Sequence, residues 1–209
     1  MYRDRHEAGR RLAEELVRFA ADEDAVVLGI PRGGVVVGAE IARRLDVPLD
    51  VVIASKIGAP GNPEYAVGAV DADGRVTANP DAGYDVGELD HLARPVRDKI
   101  RRRTELYRGG EGPIDLEGAT AIVVDDGIAT GLTALAAVRY VRAQGADRIV
   151  LAVPVIAAGT VPVLRPHVDE IVAPEQPAHF YAVGQFYRNF GQVSDDEVLG
   201  ELAEFGYGG

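Results

Sequence analysis

The chain has 209 residues, enough for one domain with a sizeable core, and no cysteine, which excludes disulfides, thiolate metal sites and a cysteine nucleophile. A formal net charge of −11 argues against a protein that coats nucleic acid or an anionic membrane. No apolar run approaches a membrane span, and Arg3, Asp4, Arg5 and Glu7 interrupt any signal-like start, so a cytoplasmic protein is expected.

In chain order, residues 4–21 read as an amphipathic helix with Leu12, Leu16, Val17 and Phe19 near one face. Residues 25–30 read as a buried strand, Pro31-Arg32-Gly33-Gly34 as a turn, 35–45 as a helix and 49–54 as a second strand. Residues 55–64 are rich in Gly and Pro and read as a loop; 65–70 and 75–78, joined by Asp71-Ala72-Asp73-Gly74, read as a hairpin. Residues 90–107 read as a charged helix interrupted early by Pro95. Strand 120–124, a helix over 132–144 stopped by Gly145, and strands 148–153 and 170–173 with a short Pro-bounded helix between them follow. The tail, 179–205, is first aromatic and then acidic. Strands alternating with helices predict an α/β fold with a mainly parallel central sheet flanked by helices, the hairpin being an insertion.

The most informative run is Val123-Val124-Asp125-Asp126-Gly127-Ile128-Ala129-Thr130-Gly131-Leu132-Thr133. A buried strand ends in two carboxylates, and a Gly/Thr loop leads into a helix. Backbone N–H groups and hydroxyls at such a helix start suit a phosphate, and paired carboxylates suit neighbouring ribose hydroxyls. Neither a G-x-x-x-x-G-K-[ST] loop nor a G-x-G-x-x-G fingerprint is present, so a sugar phosphate fits better than a nucleoside triphosphate. Strand–Asp–Gly–helix also occurs in many α/β proteins, because ligands collect at the carboxyl ends of strands.

Other segments carry weaker signals. Pro31-Arg32-Gly33-Gly34 is either an ordinary bend or a second anion loop, with Arg32 as a planar cationic fork. The only lysines are Lys56 and Lys99. Lys56 follows a strand, where it would meet a phosphate, and Gly58, Asn62 and Glu64 belong to a loop able to close over a ligand; the competing reading is a solvated lysine on a loose connection. Phe180 and Tyr181 open an aromatic stretch that either stacks on a flat acceptor or forms a satellite core. Arg101-Arg102-Arg103 read as a solvated helix face, and the histidines have no metal-ligand spacing.

On the Asp125-Asp126 run the chain resembles the type I phosphoribosyltransferases. Residues 56–70 and 180–198 resemble a prokaryotic group of predicted phosphoribosyltransferases whose acceptor is unassigned. The resemblance implies one phosphoribosyltransferase domain over 1–209, with a core of about 22–175 and a hood from 176–209 and the N-terminal helix. It implies that Asp125 and Asp126 take the ribose hydroxyls and bear on Mg²⁺ indirectly, through substrate or water. Gly127, Ile128, Ala129, Thr130, Gly131 and Thr133 would form the 5-phosphate loop. Pro31, Arg32, Gly33 and Gly34 match the pyrophosphate loop, which in the family often carries a strained peptide bond. Lys56 matches a pyrophosphate-binding base, the loop with Gly58, Asn62 and Glu64 matches the mobile loop, and Phe180 and Tyr181 belong to the acceptor hood.

The catalytic set so implied is Lys56, Arg32, Asp125 and Asp126. The reaction implied is Mg²⁺-dependent transfer of a phosphoribosyl group from phosphoribosyl pyrophosphate to a nitrogenous acceptor. Oxopurine-using members carry a carboxylate at the position of Ala129, so the alanine disfavours 6-oxopurines and leaves the acceptor open. Small-molecule substrates, a homodimer and no nucleic-acid or membrane partner are the corresponding expectations. The alternatives are a non-catalytic sensor of phosphoribosyl pyrophosphate or nucleotides, and an enzyme that uses water or phosphate as acceptor.

Overall fold

A computed structural model of the chain describes residues 1–206. Its centre is a five-stranded sheet in the order β2-β1-β6-β7-β8, all pairs parallel. The strands are β1 (Ala25–Gly29), β2 (Leu49–Val51), β6 (Thr120–Val124), β7 (Arg148–Ala152) and β8 (Glu170–Val172). The apolar runs of β1, β2, β6 and β7 are buried on both faces, as a parallel sheet between helices requires, while the edge strand β8 is half-buried. Val27, Ile122, Val124, Val150 and Ala152 face a core shared with α1 (Arg5–Glu14), α2 (Gly33–Leu45) and α6 (Asp195–Ala203). Val26, Leu28, Ala121, Val123, Ile149 and Leu151 face the other core, built on α4 (Leu132–Ala143) and the short α5 (Val161–Leu164).

A second, antiparallel sheet in the order β3-β4-β5 is formed by β3 (Ser55–Ala59), β4 (Asn62–Val70) and β5 (Val76–Ala78). The expected loop over 55–64 is therefore a β-hairpin. Pro60 and Gly61 close it, and Gly61 has φ +79°, the residue pair and backbone that a type II turn uses. The register shifts around Gly58, where a side chain would collide with the Pro63 backbone. That irregular pairing lets a strand run through residues that otherwise read as breakers.

Three helices differ from expectation. α1 ends at Glu14, and Val17–Phe19 form a separate 3₁₀ turn. α3 (Val86–Arg108) starts at Asp85, whose side chain accepts from the Glu88 amide while Glu88 accepts from the Asp85 amide. It runs through Pro95 without interruption; Pro95 and His91, whose carbonyl the proline fails to pair, are both exposed. The acidic tail holds α6, started by the same reciprocal cap between Ser194 and Glu197.

The N-terminal segment closes onto the tail. The Tyr2 amide donates to the Phe186 carbonyl at 2.8 Å, the Arg188 amide to the Tyr2 carbonyl at 2.8 Å and the Asn189 amide to the Arg3 carbonyl at 2.9 Å. No helix is long and apolar enough to cross a membrane among the described residues.

Candidate active site

The register of the central sheet builds the site. Gly29 pairs with Val124, so the segments leaving β1 and β6 emerge side by side. They are tied there by the Ile30 amide, which donates to the Val124 carbonyl at 2.8 Å. β1 lies between β2 and β6, so the chain leaves it toward one side and returns on the other. Such a switch point opens a crevice at the carboxyl ends of the strands.

The two loops touch closely. A Cβ on Gly34 would lie 2.5 Å from the Val124 carbonyl oxygen, and one on Gly33 would lie 1.9 Å from Asp126 Oδ2. These glycines are required by the approach of one loop to the other. The Pro31–Arg32 peptide bond between them and β1 is cis.

A cleft of about 440 Å³ opens beside this junction. Lys56 and Glu64 from the β3–β4 hairpin, Asp125, the run Gly127–Gly131, Thr133 and Tyr181 line it. α4 begins here at Gly131, which has φ +79°, and no side chain caps it. The first amides of α4 therefore lack helical partners and face the loop, next to the Thr130 and Thr133 side chains. Thr160 Oγ1 braces the loop by donating to the Ala129 carbonyl. Val183 of the tail packs directly over Gly127, so the C-terminal segment roofs one end of the cleft.

The acid pair divides. Asp125 faces the cleft, and its Oδ1 accepts from the Asp126 amide at 2.8 Å. Asp126 points the other way, and its Oδ2 accepts from Arg5 Nε at 2.7 Å. Burial and the neighbouring Asp126 charge push the Asp125 carboxyl well above the usual carboxylate range. Burial also raises Asp126, while Arg5 pulls it back. The resemblance gives both acids the ribose, and Asp126 is paired with Arg5 at the start of α1.

Arg32 is likewise outside the cleft lining. It sits at the start of α2, with Nη1 3.9 Å from Asp195 Oδ1 of α6. Tyr107 of α3 donates to the same carboxylate oxygen. Lys99 lies nearby: partial burial, and then the positive charges of Arg103, Arg32 and Lys56, push its ammonium below the usual value, against the pull of Asp195. Both lysines of the chain thus share one cationic region with Arg32. Arg103 belongs to that region and is half-buried, whereas the sequence places it on a solvated face.

Phe180 does not line the cleft; it packs on Phe186 with ring centroids 5.2 Å apart. Tyr181 does line it and is 89% exposed. Gly58 and Asn62 lie in the hairpin strands outside the lining. Arg5 is the site residue that sequence reasoning missed. Its position 121 residues before Asp126 leaves no local signal.

An α/β sheet with an acid-ended strand, an uncapped helix start and a facing lysine on a hairpin has the layout of an anion-binding crevice at the carboxyl ends of parallel strands. The chain belongs to the phosphoribosyl transferase domain family, whose profile matches residues 2–190. Two Mycobacterium tuberculosis proteins, provisionally named phosphoribosyl transferases, are 45% identical over 206 residues. The alignment covers 97% of this chain and 46% of theirs, so the chain spans about half the length of these relatives. The crystal structure of TT1426 from Thermus thermophilus is 44% identical, with a TM-score of 0.83 over 98% of this chain and 99% of that one. A purine phosphoribosyltransferase from Pyrococcus horikoshii shares the fold, at 19% identity and a TM-score of 0.50 over 90% of each chain.

Proposed function

We propose that the chain transfers the 5-phosphoribosyl group of phosphoribosyl pyrophosphate to a nitrogenous acceptor, with Mg²⁺ and release of pyrophosphate. The observation that carries this reading is the cleft in which Asp125, Lys56, Tyr181 and the uncapped start of α4 converge. The 5-phosphate sits on the α4 amides and the Thr130 and Thr133 hydroxyls. Asp125 accepts hydrogen bonds from ribose hydroxyls. Pyrophosphate lies toward Lys56 and the cationic region of Arg32 and Lys99.

The C1–O bond breaks, its electron pair leaving with pyrophosphate, and the acceptor nitrogen forms the new C1–N bond, its proton passing to the solvent. Positioning and charge stabilisation of the leaving group supply most of the acceleration. Tyr181 offers a ring face to the acceptor.

The donor set fits an ion carried in by the substrate. Asp125 lines the cleft, and no group of three or more possible protein ligands occurs among the described residues. Mg²⁺ is ordinarily held by one or two carboxylates together with substrate phosphates, and here it would neutralise charge on the leaving group. Ala129 supports an acceptor other than a 6-oxopurine, since its methyl group lines the cleft where oxopurine users carry a carboxylate.

The test is pyrophosphate release from phosphoribosyl pyrophosphate and Mg²⁺ across a panel of nucleobases with a no-base control. Release that depends on one base supports the proposal and names the acceptor. Base-independent release means hydrolysis and rejects the transfer. Binding without release means a sensor or an acceptor outside the nucleobases.

A further inference from the structure

The peptide between Asp126 and Gly127 opens the loop that lines the cleft, and it is held from a distant part of the chain. The Tyr187 hydroxyl, on the C-terminal segment, donates to the Asp126 carbonyl at 2.6 Å. Tyr187 is 5% exposed and does not line the cleft. Its ring packs on Tyr2, with centroids 5.6 Å apart, and on Phe190 at 5.0 Å. The Tyr2 hydroxyl donates to the Pro154 carbonyl at 3.0 Å, so the same small core is also anchored beyond β7. Val183, from the same segment, packs on Gly127 itself: a Cβ there would lie 2.5 Å from Val183 Cγ1.

The Asp126–Gly127 bond is trans, because Pro31–Arg32 is the cis bond among the described residues. In a trans peptide the carbonyl and the N–H point in opposite directions. The Asp126 carbonyl points at Tyr187, so the Gly127 N–H points away from it. That amide donates to no protein acceptor among the described residues, and neither do the amides of Ala129, Thr130 and Gly131. All four residues line the cleft. A peptide followed by glycine turns over easily, since glycine takes positive and negative φ alike. Turned over, this one would present a carbonyl oxygen where the loop now presents a donor, and that oxygen would repel a phosphate.

Resting on the functional reading above, we infer that Tyr187 is a positioning residue for the 5-phosphate. Its hydroxyl locks the Asp126–Gly127 peptide with the N–H toward the ligand. It acts through the loop and not on the ligand. The buried aromatic core of the tail is thus tied to the site by one hydrogen bond to backbone.

The experiment titrates wild type, Tyr187→Phe and Tyr2→Phe with ribose 5-phosphate and with inorganic pyrophosphate by calorimetry. Nitrogen-15 NMR follows the Gly127 amide in the same titrations. Tyr187→Phe keeps the ring in its packing and removes the donor. Tyr2→Phe removes the other hydroxyl of the same core, whose bond goes to Pro154, and so reports what loosening that core does by itself. Tyr187→Phe should weaken ribose 5-phosphate binding about tenfold or more, the scale of one hydrogen bond to a charged group. Pyrophosphate binding should be unchanged in both variants, as should ribose 5-phosphate binding in Tyr2→Phe. In wild type the Gly127 amide proton should move downfield as ribose 5-phosphate binds, and in Tyr187→Phe that movement should shrink.

Unchanged ribose 5-phosphate binding in Tyr187→Phe overturns the inference. So does an equal loss in Tyr2→Phe, or a parallel loss of pyrophosphate binding. A wild-type Gly127 amide that bound ribose 5-phosphate leaves unmoved also overturns it, whether or not Tyr187→Phe folds. Wild type that binds no ribose 5-phosphate rejects the functional reading, and the inference with it.

Discussion

Lys56 Nζ donates to Glu64 Oε2 at 2.9 Å, bridging the two strands of the β3–β4 hairpin at the mouth of the cleft. The base expected to meet a phosphate is held by a carboxylate from its own hairpin. Both side chains are well exposed, so a multiply charged pyrophosphate competes easily with one glutamate. The Lys56 hydrogen bond, followed by its charge, lowers the Glu64 carboxyl, so the pair is intact above the ordinary glutamate range and is lost as pH falls through the lowered value. Glu64→Gln should lower KM for phosphoribosyl pyrophosphate by less than about fivefold, the scale of one exposed ion pair. Lys56→Ala should raise it. Steady-state kinetics on both variants test this, and a rise in KM for Glu64→Gln would assign the glutamate to ligand binding instead.

Asp195 is the counter-charge of the Arg32 and Lys99 region. Asp195→Asn keeps an acceptor for the Tyr107 hydroxyl and removes the negative charge. Pyrophosphate should then inhibit more strongly, about three- to tenfold, and the gain should shrink as salt screens the cations. Lys99→Ala should act in the opposite sense. Product-inhibition constants at low and high ionic strength check both; an unchanged constant in Asp195→Asn would separate this region from the leaving group.

Elements whose burial is written in a local period were legible in the sequence. β1, β6 and β7 are continuous apolar runs, and the loop after β6 carries its chemistry in consecutive residues. The hairpin was hidden by Gly58, Pro60, Gly61 and Pro63, which break strands in general and are accommodated here by a turn and a register shift. α6 was hidden by its acidic first turn, although Ser194 and Glu197 spell a capping box. The pairing of Arg5 with Asp126 and of Arg32 with Asp195 depends on which elements meet in space. No periodicity within one segment encodes that.

A buried ion pair sets a stability prediction away from the cleft. Arg108 Nε and Nη2 lie 3.3 and 3.2 Å from the two Asp50 carboxylate oxygens, and Nη2 also donates to the Val51 carbonyl at 3.0 Å. The Val51 and Ile114 amides complete the acceptor set of Asp50. Asp50→Ala would strand a buried guanidinium and two amides, at a cost of about 3–5 kcal/mol. At about 2–4 °C per kcal/mol for a chain of this size, Tm should fall by about 6–20 °C. Asp50→Asn should fall less, because it still accepts from the amides. Thermal unfolding of both variants gives the answer, and a loss in Asp50→Ala below 2 °C would contradict it.

Asp125 should oppose stability and function. Its folded-state carboxyl is raised, first by burial and then by the Asp126 charge. A raised acid contributes stability below the ordinary aspartate value, and that contribution is lost as pH rises through the raised value. At neutral pH an ionised Asp125 is therefore a liability of the empty fold. Asn at this position keeps an oxygen for the Asp126 amide and carries no charge. Asp125→Asn should raise Tm at neutral pH, and its advantage over wild type should disappear toward acid. The same change weakens hydrogen bonds from ribose hydroxyls to a charged acceptor, worth about 1.5–3 kcal/mol, so kcat/KM should fall by about 10- to 150-fold. Unfolding and kinetics across pH test the two halves together. A variant less stable than wild type at neutral pH, or one with unchanged kcat/KM, would remove Asp125 from the centre of the site.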